Sequence, residues 1–263
     1  MMRFVETTDP ASVASDGKDT VLICGMPGIG SVGKIVVESL KSHFKASLLV
    51  SIFFDDFPSQ VIVGDEGTLS LPSVQLFHAP VSEKTGMLLL TGDFQPTSNL
   101  GIYNFIDKFW DYLTGKGIRI SLIVSTGAYV PEQIPMQPKV FVSGTDKETM
   151  QAFIDTDPAK VQTMEGGIIT GANGVFPAWG IMVDVPGTCI LAETIPMVKK
   201  DPKAAKILVE LLGRKFGFEP DLSDLQRMAD DMDMTIEELK KRAGIMPEPK
   251  EHGPERDSHS YIG

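Results

Sequence analysis

Val21-Leu22-Ile23-Cys24-Gly25-Met26-Pro27-Gly28-Ile29-Gly30-Ser31-Val32-Gly33-Lys34 reads as a buried strand, a glycine loop and the opening of a helix. Residues 20–24 suit a short strand covered on both faces. Val32, Ile35, Val36, Leu40 and Phe44 then recur at helical spacing, with Ser31 at the cap position. Strand, loop and helix in this order open an α/β fold with a parallel sheet. The loop matches two nucleotide motifs in part. Gly28, Gly30 and Gly33 spell G-x-G-x-x-G, a turn that presses backbone N–H groups against a pyrophosphate. Gly28, four residues and then Gly33-Lys34 resemble a phosphate loop, but Ile35 stands where a Ser or Thr hydroxyl would hold magnesium.

Working outward, Leu48 to Phe54 forms a second run of strand length. Val61–Val63 and Thr68–Leu71 flank Gly64-Asp65-Glu66-Gly67 and read as two strands joined by a tight turn. Val74–Phe77 extends that antiparallel meander. Met87–Leu90, Ile118–Val124, Val140–Val142 and Cys189–Leu191 are further strands. Leu100–Leu113 is helical, with Asn99 expected to cap it and Gly115 to end it. Thr145-Asp146-Lys147-Glu148 has the capping-box pattern ahead of another helix. The glycine-rich segment 163–180 reads as a loop passing into a short helix near 175–181. Asp201-Pro202 supplies an N-cap and an N1 proline for a helix striped by Ile207, Leu208, Leu211 and Leu212. Leu222, Leu225, Met228 and Met232 continue at helical spacing.

The expectation is an α/β fold: a mostly parallel central sheet with helices on both faces, an antiparallel meander and C-terminal helices. Residues 1–220 form the core domain, 221–246 a C-terminal helical extension and 247–263 a flexible polar tail. The 263 residues carry a formal charge of −11, and with a pI near 4.8 they argue against a nucleic-acid partner, which needs a basic face. Lys199-Lys200 and Lys240-Lys241-Arg242 read as solvated charge. Cys24 and Cys189, each within an apolar stretch, fit buried reduced thiols. The N-terminus lacks the apolar core of a secretory signal. No apolar run approaches the ~18 residues of a membrane helix. A cytoplasmic protein without membrane contact is expected.

Four unusual segments follow expected strands: the glycine loop, Asp55–Gln60, Gly92–Pro96 and Gly127–Tyr129. At the carboxyl edge of a parallel sheet they would converge. The candidate cluster, for ligand or partner, is Gly28, Gly30, Gly33, Lys34, Asp55, Asp56, Asp93, Gln95 and Tyr129. Asp55 lies near where a ribose-binding acid belongs in a dinucleotide fold, but the hairpin at 61–71 breaks that topology. No serine or cysteine sits in a nucleophile elbow, and no metal-ligand spacing occurs, so no catalytic residue, metal or cofactor is assigned. The bland reading of the cluster is that its glycines shape turns and its acids cap backbone.

The order Gly-x-Pro-Gly-x-Gly-x-Val-Gly-Lys, Asp-Asp-Phe-Pro-x-Gln-Val, Gly-Asp-x-Gln-Pro and Gly-Ala-Tyr, at 25–34, 55–61, 92–96 and 127–129, closely resembles the proteasome assembly chaperone family. The resemblance is to its archaeal and actinobacterial branch, similar to the second eukaryotic chaperone, and runs from about residue 18 to 235. It implies a nucleoside-phosphorylase-like fold, a homo-oligomer, and a non-enzymatic role binding 20S proteasome subunits or the α-ring. Some members dock through a C-terminal hydrophobic-Tyr-any motif. Here the chain reads Ser260-Tyr261-Ile262-Gly263, which departs from that pattern and leaves Tyr261 as the candidate docking residue. The alternative is a nucleotide- or small-molecule-binding enzyme, dinucleotide-dependent or ATP-grasp-like, using loop 25–34.

Overall fold

A computed structural model of the chain describes residues 1–14, 19–82, 85–132, 138–196 and 198–242. The chain divides into two units, Met1–Ala229 and Asp230–Gly263. The first begins with β1 (Met2–Glu6), α1 (Ala11–Ala14), β2 (Asp19–Cys24) and α2 (Val32–His43). There follow β3 (Ser47–Phe54), the short strands β4 (Ile62–Val63) and β5 (Leu69–Ser70), β6 (Val74–Pro80), β7 (Thr85–Gly92) and α3 (Asn99–Gly115). Next come β8 (Ile120–Tyr129), β9 (Val140–Gly144), α4 (Lys147–Ile154), β10 (Val161–Thr163) and α5 (Ala172–Val183). The last elements are β11 (Gly187–Glu193), α6 (Pro202–Phe216) and α7 (Ser223–Arg242).

Nine strands join in the order β1-β3-β6-β7-β2-β8-β11-β9-β10. The centre, β7-β2-β8-β11, is parallel. Antiparallel pairings carry the sheet outward through β6, β3 and β1 on one side and through β9 on the other, with β10 parallel to β9. Because β3 is antiparallel to β6 and β6 to β7, β3 points the same way as the central strands. The loops after β2, β3 and β7 therefore leave from one edge.

The two-residue period of the strands sorts the core into two layers. Val21 and Ile23 of β2, with Met87 and Leu89 of β7, meet Val36 and Leu40 of α2 and Leu208 and Leu212 of α6. Their neighbours Leu22, Leu88 and Leu90 face the other way, onto Phe105 and Phe109 of α3 and Phe176 of α5. Leu225, in the first turns of α7, is buried in the first of these layers and Leu222 packs against it. The described part of the second unit, residues 230–242, is helical and acidic at Asp230, Asp231, Asp233, Glu237 and Glu238.

Several local expectations need correcting. Ser31 stands at the cap of α2 but in a left-handed conformation, and its side chain makes no capping bond. Ser98, not Asn99, caps α3 by accepting the Gly101 N–H. Asp146, not Thr145, caps α4 by accepting the Thr149 N–H. In both cases two oxygen-bearing residues are adjacent, and the one directly ahead of the helix, in extended backbone, supplies the cap. Gly127–Tyr129 is no loop: β8 runs on through it because β11 pairs with it as far as Glu193. The helix expected at 175–181 starts earlier, at Ala172. Asp201 and Pro202 open α6 as expected, and the hairpin at 61–71 is present.

Candidate functional site

The glycine loop crosses from β2 to α2 at the edge where the parallel strands end. A Cβ on Gly25 would stand 2.0 Å from the Gly33 carbonyl oxygen, and one on Gly33 would stand 2.3 Å from the Thr126 carbonyl oxygen. Backbones this close leave no room for a methyl group, so the two glycines let α2 settle onto β2 and β8. Gly30 answers a different need. Its φ of +58° lies in the left-handed region, and its carbonyl accepts the Asp201 N–H at 2.8 Å.

The loop's carbonyls are held from the side. Gly25 accepts from Thr91 Oγ1 at 2.7 Å. Met26 exchanges two bonds with the Asn173 amide, giving its N–H to Oδ1 at 2.9 Å and accepting from Nδ2 at 3.1 Å. Pro27 accepts from Gln95 Nε2 at 2.5 Å, while Gln95 Oε1 takes the Ala172 N–H at 2.7 Å. Gln95 thus ties the loop to the first turn of α5. Ser125 Oγ completes the knot by donating to the Asn173 carbonyl at 2.5 Å. Both amide side chains are engaged at both ends, which makes them struts rather than acids or bases.

The carboxylates go elsewhere. Asp56 accepts from Ser98 N–H and Ser98 Oγ, each at 2.9 Å, and so braces the cap of α3. Asp55 is exposed and meets the Met1 amino group, which holds its carboxyl below the usual carboxylate range. Asp93 Oδ2 takes the Ser73 N–H at 3.1 Å while Asp93 gives its own N–H to the Ser73 carbonyl at 3.0 Å. Its Oδ1 lies 3.6 Å from Lys34 Nζ. Tyr129 ends β8 with its ring 5.0 Å from that of Phe141 on β9. The structure therefore joins Gly28 with Gln95 and Lys34 with Asp93. It leaves Asp55 and Asp56 at the end of β3, with β6 and β7 between them and β2. Tyr261 lies outside the described residues.

Sequence reasoning missed Asn173, Ser125, Thr126 and Thr91 and took Asp201 only for a helix cap; all are buried. For Thr91, Ser125 and Thr126 the available signal was a polar residue inside an apolar strand, because a buried hydroxyl needs a partner. Thr126 finds one in the Cys24 carbonyl, at 3.2 Å. Asp201 is informative for another reason. Its carboxylate accepts from Lys203 N–H, Ala204 N–H and Thr194 Oγ1 beside Gly30. An anion placed at the head of α2 would meet this buried negative charge.

A groove of about 750 Å³ runs along the outward face of α2, lined by Ser31, Lys34, Glu38, His43, Leu225 and Met228 among others. Lys34, Lys200, Glu38, Asp93 and Asp224 all line it, so its charges are mixed in sign. Cys24 and Cys189 are buried and unpaired. Burial pushes both thiols up, that of Cys189 to about 11. No described helix is long and apolar enough to cross a membrane.

This arrangement has relatives. The chain is 28% identical over 247 residues to the uncharacterized protein MJ1210 of Methanocaldococcus jannaschii, covering 94% of this chain and 93% of that one. Pyrococcus furiosus PbaB, described as an archaeal proteasome activator, superposes with a TM-score of 0.81 at 25% identity, over 91% of this chain and 98% of PbaB. Pyrococcus furiosus PbaA, described as an archaeal homolog of proteasome-assembly chaperone, shares the fold with a TM-score of 0.73 at 17% identity, over 93% of each chain. The model of the PAC2 family matches residues 22–240, from β2 into α7 and across all four segments that carried the resemblance, and the chain belongs to that family.

Proposed function

We propose that the protein is a chaperone-like binding protein of the 20S proteasome: a cytoplasmic homo-oligomer that recognises proteasome subunits or the α-ring through its surfaces and performs no chemistry. One observation carries this reading. Three of the polar side chains offered as a reactive cluster are engaged in holding backbone, Gln95 on Pro27 and Ala172, Asp56 on Ser98 and Asp93 on Ser73, and Lys34 is paired with the last of them. Evolutionary kinship agrees with it, since PbaB is named a proteasome activator. The surface offers protein-sized contacts instead. Helix α5 has no charged residue in a chain of net charge −11, and it leaves Ile181 and Met182 about 70% exposed, at 71% and 73%.

The test is capture of the protein on immobilised proteasome α-subunits. The full chain and a version ending at Ala229 are compared, because Leu225 must stay to complete the core. Retention of the full chain with weaker retention of the shortened one is expected. Failure of both to bind would contradict the reading. Equal retention would remove the C-terminal segment, Tyr261 included, from the mechanism and leave recognition to the first unit.

A further inference from the structure

The hairpin β4–β5 stands apart from the nine-stranded sheet as a sheet of two strands. Val63 and Leu69 are direct cross-strand partners in it. Val61 and Leu71, one step of the two-residue period further out, continue the same face. All four side chains are exposed, at 54% for Val61, 65% for Val63, 70% for Leu69 and 62% for Leu71. Two-stranded hairpins are marginal in water unless an apolar face is covered. Here the face is apolar and bare.

At the base of the hairpin lies a concavity of about 680 Å³, lined by Arg3, Phe53, Phe57, Pro58, Val61 and Leu71 among others. Val61 and Leu71 belong to both features, while Val63 and Leu69 project past it. The turn that joins the strands carries Asp65 and Glu66, the latter at φ +64°, where glycine would be less strained. An apolar arm with an acidic tip and an apolar hollow lined by Arg3, whose Asp55 is already engaged by the Met1 amino group, are complementary in shape and charge.

We infer that two copies of the chain exchange these features about a two-fold axis. The Val63–Leu69 face of each hairpin lies over the hollow of the other, and each acidic tip approaches the other's Arg3. Such a contact is self-complementary and closed, which limits growth to a defined particle. The area is sufficient. Four side chains exposing on the order of 100 Å² each give roughly 400 Å² per arm. Counted once in each copy and taken with the rest of each hollow, they bury on the order of 1,000 Å², the threshold for a specific interface. The inference rests on the homo-oligomer reading above and names its surface.

Light scattering after size-exclusion, run at several concentrations, tests it. The wild type is expected at a multiple of 28.6 kDa, and Val63→Lys/Leu69→Lys at the monomer mass with an unchanged circular dichroism spectrum. Arg3→Glu should shift the wild-type mass downward, and adding Glu66→Arg should restore it. This charge exchange alters only exposed positions, so it decides the matter even if the double lysine variant folds poorly. A wild type that is monomeric throughout overturns self-association itself. An oligomeric wild type whose mass none of these variants changes overturns the hairpin exchange alone. Variants that keep their mass but lose proteasome subunits would give the face to that partner and equally overturn the exchange.

Discussion

At the residue scale, Gly25 and Gly28 belong to the same motif and do different work. A Cβ on Gly25 would collide with the Gly33 backbone, whereas one on Gly28 would meet nothing closer than Asn173 Nδ2 at 3.8 Å. Gly28 has extended backbone, with φ −160°, which alanine also adopts. Gly25→Ala is therefore expected to cost about 3 kcal/mol through overpacking, a fall in Tm of roughly 6–12 °C for a chain of this size. Gly28→Ala should leave Tm within about 2 °C. If the loop were a phosphate cradle, Gly28 would be the sensitive position for ligand and no such stability contrast would be required. Asn173→Ala removes two bonds to Met26 and strands both Met26 groups, for about 2–3 kcal/mol by thermal or urea unfolding. The cysteines provide a chemical readout. With both thiols raised by burial, neither should react with a thiol reagent at about pH 8 until the protein unfolds, and fast labelling of the native protein would show that the core around β2 and β11 opens.

At the scale of elements, legibility followed how local the cause is. Helices α3 and α6 and strands β2, β3, β7 and β11 were visible because their apolar residues recur at the right period. Strand β1 was not: Met2–Glu6, with Arg3 and Glu6 among its five residues, becomes a strand through its pairing with β3. The three residues of β10 depend in the same way on β9. Gly127–Tyr129 was misread because glycine looks like a turn, while β11 supplies a ladder that the sequence does not announce. Caps slipped by one residue at Ser98-Asn99 and Thr145-Asp146, where two residues with side-chain oxygens adjoin. One of these caps yields a pH prediction. Bonds from the Thr149 backbone hold the Asp146 carboxyl below its ordinary value of 3.8. Protons therefore bind the unfolded chain more tightly. The cap's contribution is complete above the unfolded value and is lost as pH falls through the lower folded one. Relative to Asp146→Asn, the wild type should lose Tm as pH falls below about 4, and parallel curves would rule the cap out as a titrating element.

For the whole molecule, the candidate cluster was legible as a place but not as a role. The loops after β2, β3 and β7 do share an edge. Yet the strand order sets Asp55 and Asp56 apart from Lys34 and Asp93, and strand order depends on long-range pairing that no single segment encodes. The buried amide of Asn173, which decides how the loop is held, comes from a segment some 147 residues later in sequence. With the Gly25, Met26 and Ser31 N–H groups already engaged and Asp201 beside Gly30, a panel of ATP, NAD, nucleosides and phosphate should leave Tm unchanged. A true ligand at 100 times its Kd would add about 2.7 kcal/mol.

The most direct measurement is an equilibrium titration of assembled proteasome α-rings with the full chain and with Lys34→Ala/Asp93→Ala, each with and without ATP. The half-buried Lys34–Asp93 pair, 3.6 Å apart and still reached by solvent, is worth about 1 kcal/mol, and neither side chain is proposed to touch the partner. Both proteins should bind with the same Kd within about twofold, indifferent to nucleotide. Binding that requires ATP and disappears in the double variant, or no binding by the wild type at all, would contradict the account.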